Sequence, residues 1–449
     1  QNVHADKHFL AFQNGTSTLF ECNDGGLYKT TDGGTSWTHL SNGMAIGQIY
    51  RMGVGQTQAD EVIIGLQDNG TKARLSGTWN DVIGGDGFEC IVDYTDENIQ
   101  YGALYYGTIY RTTNYWWSST TITNSLPGSG WWCTPYIMDP SDHNTLYVGY
   151  SDVWKSTNQG NSWSQISNQG SSSDFRTMSI APSNTDYIYA ATLSNIYRTT
   201  DGGGVNQLWS TITGNLPTGA SNITCISVRD TDPNHVWVAM GGYNSHGVYE
   251  TIDGGNNWIN ISAGLPQLPV MCVIQNTQYI DAVELYAATD AGVYVKRDTT
   301  AQWVPFMDGL PNVVVTELEI YYDTVNLFDS RIYAATFGRG VWSSDLYMMF
   351  QPPISDFSGS PTVGLPTLDV DFMDLTQNQV DSWAWDFGDG NTSTMQSPSH
   401  QYTESGFYTV KLVATGPGGA DSTIKTDYIE VQYLPPIADF IADITAGLA

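Results

Sequence analysis

Basic residues are scarce in this chain: 16 lysines and arginines face 46 aspartates and glutamates, a formal charge of −30 over 449 residues. A surface that acidic repels phosphate backbones and anionic headgroups, which argues against nucleic acid and membrane-surface partners and leaves divalent cations, neutral glycans or high salt. Charged residues of either sign make up only 14%, too few for the lysine- and glutamate-rich surfaces of helical proteins. No apolar run reaches the roughly 18 residues of a spanning helix, so no membrane insertion is expected. No signal-peptide pattern is present, and export therefore implies a processed or trimmed chain. The five cysteines (Cys22, Cys90, Cys133, Cys225, Cys272) are too sparse for a disulfide framework. They read as small buried hydrophobes on inner strands, with Cys90–Cys133 and Cys225–Cys272 left as pairings open to a bridge.

What the chain has in abundance is glycine (46), tyrosine (27) and tryptophan (15), the makeup of an all-β protein. It also repeats itself. The octet TTDGGTSW at 30–37 returns as STNQGNSW at 156–163 and TIDGGNNW at 251–258, and TTDGGGVNQLW at 199–209 is the same phrase with three residues inserted. A second phrase precedes these: GGLYKT (25), GTIYRT (107), SDVWKS (151), SNIYRT (194), HGVYET (246), AGVYVK (291) and RGVWSS (339), with a weaker GTKARLSGTW at 70–79. Eight copies about 45 residues apart fit the period of four-stranded propeller blades. Each octet reads as the hairpin turn closing a blade. Asp32, Asn158, Asp201 and Asp253 accept backbone N–H groups there, while Trp37, Trp163, Trp209 and Trp258 pack between sheets.

This spacing resembles the Asp-box (BNR) repeat of sialidases, sortilin-type propellers and xyloglucanases, over about residues 1–350. The stretches VHADKHFLAF, NDGGLYKTTDGG, GLQDNGT and GGDGFECIVD are more narrowly similar to propellers of large exported bacterial proteins. In those proteins immunoglobulin-like modules and a C-terminal type IX secretion signal follow, which implies a secretion machinery as one partner. The resemblance predicts propeller sequence upstream of Gln1, an incomplete ring and a blade count that could exceed eight. From 351 to 433 the segment WAWDFGDGN with HQYTESGFYTVKLVAT resembles the PKD type of β-sandwich, with Trp385, Phe387, Tyr408 and Val410 in its core. PPIADFIADITAGLA at 435–449 aligns with PPISDFSGSPTVGLP at 352–366, so 434–449 reads as the start of a second such module.

Chemistry is expected where the repeat is broken. HADKH, NDGG, QDNG and GGDG occur once each, in consecutive units, on the face opposite the Asp-box turns. His4, Asp6, His8, Asp24, Asp68 and Asp86 could therefore converge there as a ligand or metal set, calcium being the cation considered. The plainer reading makes each aspartate a turn cap and the histidines a hydrogen-bonded lining. Sialidase chemistry is disfavoured by only nine arginines and no Arg-Ile-Pro segment. NDGGLYKTTDGG resembles the segment carrying a catalytic Asp in xyloglucanases, which implies Asp24 for that role; the second acid is unassigned. The expected function is an exported, extracellular or cell-surface protein whose propeller binds a glycan or surface protein, with the sandwich as spacer. The alternative is a xyloglucanase-like glycoside hydrolase.

Overall fold

The computed structural model describes all residues except 1–2, 170–172, 205, 280–281, 348–352, 417–418, 434 and 440–449. Two compact units divide at 346/347. The first holds eight antiparallel sheets, seven of four strands and a last one of three. GTKARLSGTW does form a hairpin of the second sheet, Gly70–Leu75 with Thr78–Ile83, and among the described residues no outer strand follows RGVWSS in the eighth sheet.

The strands second from the axis are apolar on both faces, as in Val62–Leu66, Ile188–Ala191 and Glu284–Thr289, because each sheet is covered by neighbours on either side. Small residues set the approach distance. A Cβ on Gly65 would lie 2.1 Å from the carbonyl oxygen of Phe88 on the next sheet, so only glycine fits there.

The ring closes through seven sheets, not eight. Thr316 Oγ1 donates to the Ile49 carbonyl at 2.9 Å, Gln56 Nε2 to the Ile320 carbonyl at 2.9 Å, and Tyr333 Oη to Asp60 Oδ1 at 3.0 Å, joining the second sheet to the eighth. A central channel of about 410 Å³ is lined by the inner strands of these seven sheets, with Arg51, Glu89, Cys225, Cys272, Glu317 and Glu319 facing it. The first sheet contributes nothing to that lining. Its inner strand Lys7–Phe12 is exposed, with Phe9 at 64% and Phe12 at 71%. The expectation of one continuous, incomplete ring that includes the first unit is therefore corrected: 45-residue periodicity reports blades, and only cross-sheet pairing decides which blades share a ring.

The octets are turns, as expected. Asp32 Oδ1 accepts from Thr30 Oγ1 at 2.8 Å and from the Ser36 N–H at 2.9 Å; Asn158, Asp201 and Asp253 repeat the bond to the residue two before them. The octet tryptophans of the ring also staple their sheets to the ones before. The indole N–H groups of Trp163, Trp209 and Trp258 donate to the carbonyls of Ile122, Ile166 and Ile212 at 2.8 to 2.9 Å. Trp303 does the same to Ile261 without an octet around it.

The second unit is a sandwich of a three-stranded and a five-stranded sheet. Trp385, Phe387 and Val410 are buried in its core and Tyr408 packs against it half-buried. Gly388 and Gly390, both at positive φ, flank Asp389 in a tight turn. The proposed second module at 434–449 lies outside the described residues except for 435–439.

All five cysteines are free thiols. Cys225 and Cys272 come within 3.8 Å, sulfur to sulfur, on adjacent inner strands.

Candidate functional site

The NDGG turn of the first sheet is held from below by charge. Lys7 Nζ and Asn23 Nδ2 both donate to buried Glu21 Oε1, at 2.6 and 2.9 Å. Burial opposes ionisation of that carboxyl, but the bonds from Lys7 and Asn23 prevail and hold its pKa below the usual range. Asn23 Oδ1, not Asp24, accepts the Gly25 N–H at 2.9 Å. The turn-capping role considered for Asp24 thus belongs to its neighbour, and the Asp24 carboxylate is released for other partners.

Those partners come from the HADKH segment. His8 Nε2 is 2.5 Å from Asp24 Oδ1. The Asp24 N–H donates to the Asp6 carbonyl at 3.4 Å, and the Asp6 N–H donates to His4 Nδ1 at 3.3 Å. A Cβ on Gly25 would stand 3.1 Å from His4 Cβ, so the double glycine lets the two segments touch. One ligand atom each from His4, Asp6 and Asp24 lies within 4.8 Å of the others.

The remaining predicted pair sits across the junction with the ring. Asp86 Oδ1 accepts the N–H of Asp68 at 2.6 Å, which ties the QDNG turn to GGDG. Asp68 adopts φ +57°, the left-handed region that aspartate tolerates. Burial, then the charges of Asp86 and Asp24, raise the Asp68 pKa, and His4 opposes them. Asn69 Nδ2 donates to the Asp24 carbonyl at 2.8 Å and bridges the two groups. Four residues therefore gather at the first sheet and two on the ring, with Asp24 facing both.

An aromatic platform adjoins the acidic pair. Tyr50 stacks on Phe88 at 4.8 Å, Trp132 meets Phe88 edge-on, and Tyr105 stacks on Trp132 at 5.6 Å and 14°. Burial, then the charges of Asp86 and Asp68, push the Tyr50 phenol pKa up. Tyr105 is 43% exposed, Tyr106 50% and Trp131 37%. The sequence signal for these rings was present in LYYG (104–107) and GWWC (130–133), doublets that break the repeat.

A model of the PKD domain family matches residues 351–431. Over 91 residues the chain is 39% identical to Collagenase ColA of Bacillus cereus, and over 45 residues it is 47% identical to a microbial collagenase of Vibrio alginolyticus. These alignments cover 17% and 10% of this chain and only 10% and 6% of the collagenases. Among solved structures, the GH74 xyloglucanase of Xanthomonas campestris is similar at TM-score 0.50 and 13% identity, covering 87% of this chain and 74% of its own. The extracellular domain of the hybrid two-component system BT3049 of B. thetaiotaomicron matches at TM-score 0.50 and 12% identity, over 96% of this chain and 62% of its own. At such identities the likeness speaks for fold alone. The chain is a β-propeller followed by a PKD domain. Among the described residues no helix is long and apolar enough to cross a membrane.

Proposed function

We propose that the propeller is an extracellular glycan-binding head, with the platform of Tyr105, Tyr106 and Trp132 as its recognition surface and the PKD domain as spacer. The observation that carries this reading is the cluster of partly exposed rings in which Tyr105 stacks on Trp132 and Tyr106 meets both edge-on. Sugar rings present C–H faces that stack on aromatic side chains and hydroxyls that donate to carboxylates. The acidic surface disfavours polyanionic glycans and favours neutral ones. Extracellular placement is supported by the PKD match and by its collagenase relatives. Delivery by a secretion machinery of the type IX class is part of the same reading.

The hydrolase alternative draws on Asp68, whose proton affinity is raised by burial and then by the charges of Asp86 and Asp24, as a general acid requires. A glycan array run beside a hydrolysis screen on neutral polysaccharides separates the two. Binding without product, lost in Trp132→Ala, supports the binding head; product release that vanishes in Asp24→Asn or Asp68→Asn replaces it with the hydrolase.

A further inference from the structure

We infer that His4, Asp6 and Asp24 form a binding site for a divalent transition metal of the zinc class. The donor set decides the metal. Calcium takes six to eight oxygens, whereas a site that includes an imidazole beside two carboxylates matches the nitrogen and oxygen preferences of Zn²⁺ and its neighbours. The three donor atoms already lie within 4.8 Å of one another.

Several features hold this arrangement in place. The bond from the Asp24 N–H to the Asp6 carbonyl and the close approach of Gly25 to His4 clamp the two segments together. Asn23 relieves Asp24 of the capping role that would otherwise occupy its carboxylate. His8 holds Asp24 Oδ1, the arrangement in which an imidazole outside the ligand set orients a ligating carboxylate. Lys7, the nearest cation in sequence, pairs with Glu21 and donates to the His4 carbonyl at 3.1 Å, which ties the backbone of the HADKH segment to the first sheet.

The site is independent of the glycan reading, which stands or falls on the aromatic residues. The test is titration of the full chain with Zn²⁺ by calorimetry, with Ca²⁺ and Mg²⁺ titrated in parallel and Co²⁺ as a spectroscopic probe. Because Cys225 and Cys272 could bind zinc separately, the titration is done in a Cys225→Ser/Cys272→Ser background. The expected result is one Zn²⁺ per chain in preference to Ca²⁺, with visible Co²⁺ bands. His4→Ala and Asp24→Asn should each weaken binding at least tenfold while the thermal unfolding profile of the ring stays unchanged. His8→Gln, which keeps a hydrogen-bond donor, should retain more affinity than His8→Ala and preserve the Co²⁺ spectrum. No stoichiometric binding, equal affinity for Ca²⁺, or full binding by His4→Ala and Asp24→Asn overturns the inference.

Discussion

Replacing Trp258 by alanine tests how the ring holds together. The side chain is 3% exposed, packs in one cluster with Ile212, Leu216 and Ile223, and donates its indole N–H to the Ile212 carbonyl of the preceding sheet at 2.9 Å. Removing a buried tryptophan costs ~3–5 kcal/mol, which here includes leaving the Ile212 carbonyl without its donor. At ~2.1 cal/mol/K per residue, the 346 residues of the propeller unit unfold with an entropy of ~0.7 kcal/mol/K, so a loss of ~4 kcal/mol lowers the transition by ~6 °C. Trp37 provides the internal control. It occupies the same place in its octet, but among the described residues its indole makes no hydrogen bond to another sheet. Trp37→Ala should therefore shift the ring's transition by under ~2 °C. Differential scanning calorimetry on both variants decides. Equal large shifts, or a shift below ~2 °C for Trp258→Ala, would refute the claim that seven sheets close the ring without the first.

Three further outcomes are expected. Burial holds the channel carboxyls Glu317 and Glu319 up to pKa values of about 7 and 8 against a free value of 4.5, opposed at Glu317 by Arg51. Because the folded state holds these protons more tightly than the unfolded one, their contribution is fully present below pH 4.5 and is lost as pH rises toward 8. The transition temperature of the ring should fall over that window, less steeply in Glu319→Gln. The octet aspartates behave in the opposite sense: bonds from Ser36 at Asp32 and from Asn257 at Asp253 lower both to about 2, so their contribution is present above pH 3.8 and lost toward pH 2. Asp253→Asn should flatten that acid limb in a pH series of melting curves. Finally, Cys225 and Cys272, at 3.8 Å, should cross-link when oxidised glutathione is supplied, each glutathione disulfide being reduced to two thiols. Intact mass should drop by about 2 Da with a linked tryptic peptide, and alkylation of both thiols after that treatment would contradict it.

Much of the fold was legible because propeller blades repeat and repeats are visible in one sequence. Thr30-x-Asp32 and Trp258 recur for reasons local to a hairpin, so their roles could be assigned before any coordinates. Ring membership could not: the pairing of Ile49–Val54 with Val315–Tyr321 joins residues more than 260 apart, and nothing in the local pattern of HFLAF distinguishes an inner strand in a ring from one outside it. For the site, the break in periodicity led to His4, Asp6, His8 and Asp24, which the structure gathers, and to Asp68 and Asp86, which it joins to each other. The same criterion should have found Tyr105 and Trp132. Their stacking depends on the connections at 105–107 and 130–132 meeting across two sheets, a tertiary fact that no spacing rule conveys.

The account rests most heavily on the aromatic platform as a glycan-binding surface. The direct measurement is calorimetric titration of the best neutral oligosaccharide from the array into the native chain and into Tyr105→Ala and Trp132→Ala. At ~1 kcal/mol or more per lost stacking contact, each variant should bind at least about fivefold more weakly, with no reducing sugar released by any of them. Undiminished affinity in both variants would contradict the account.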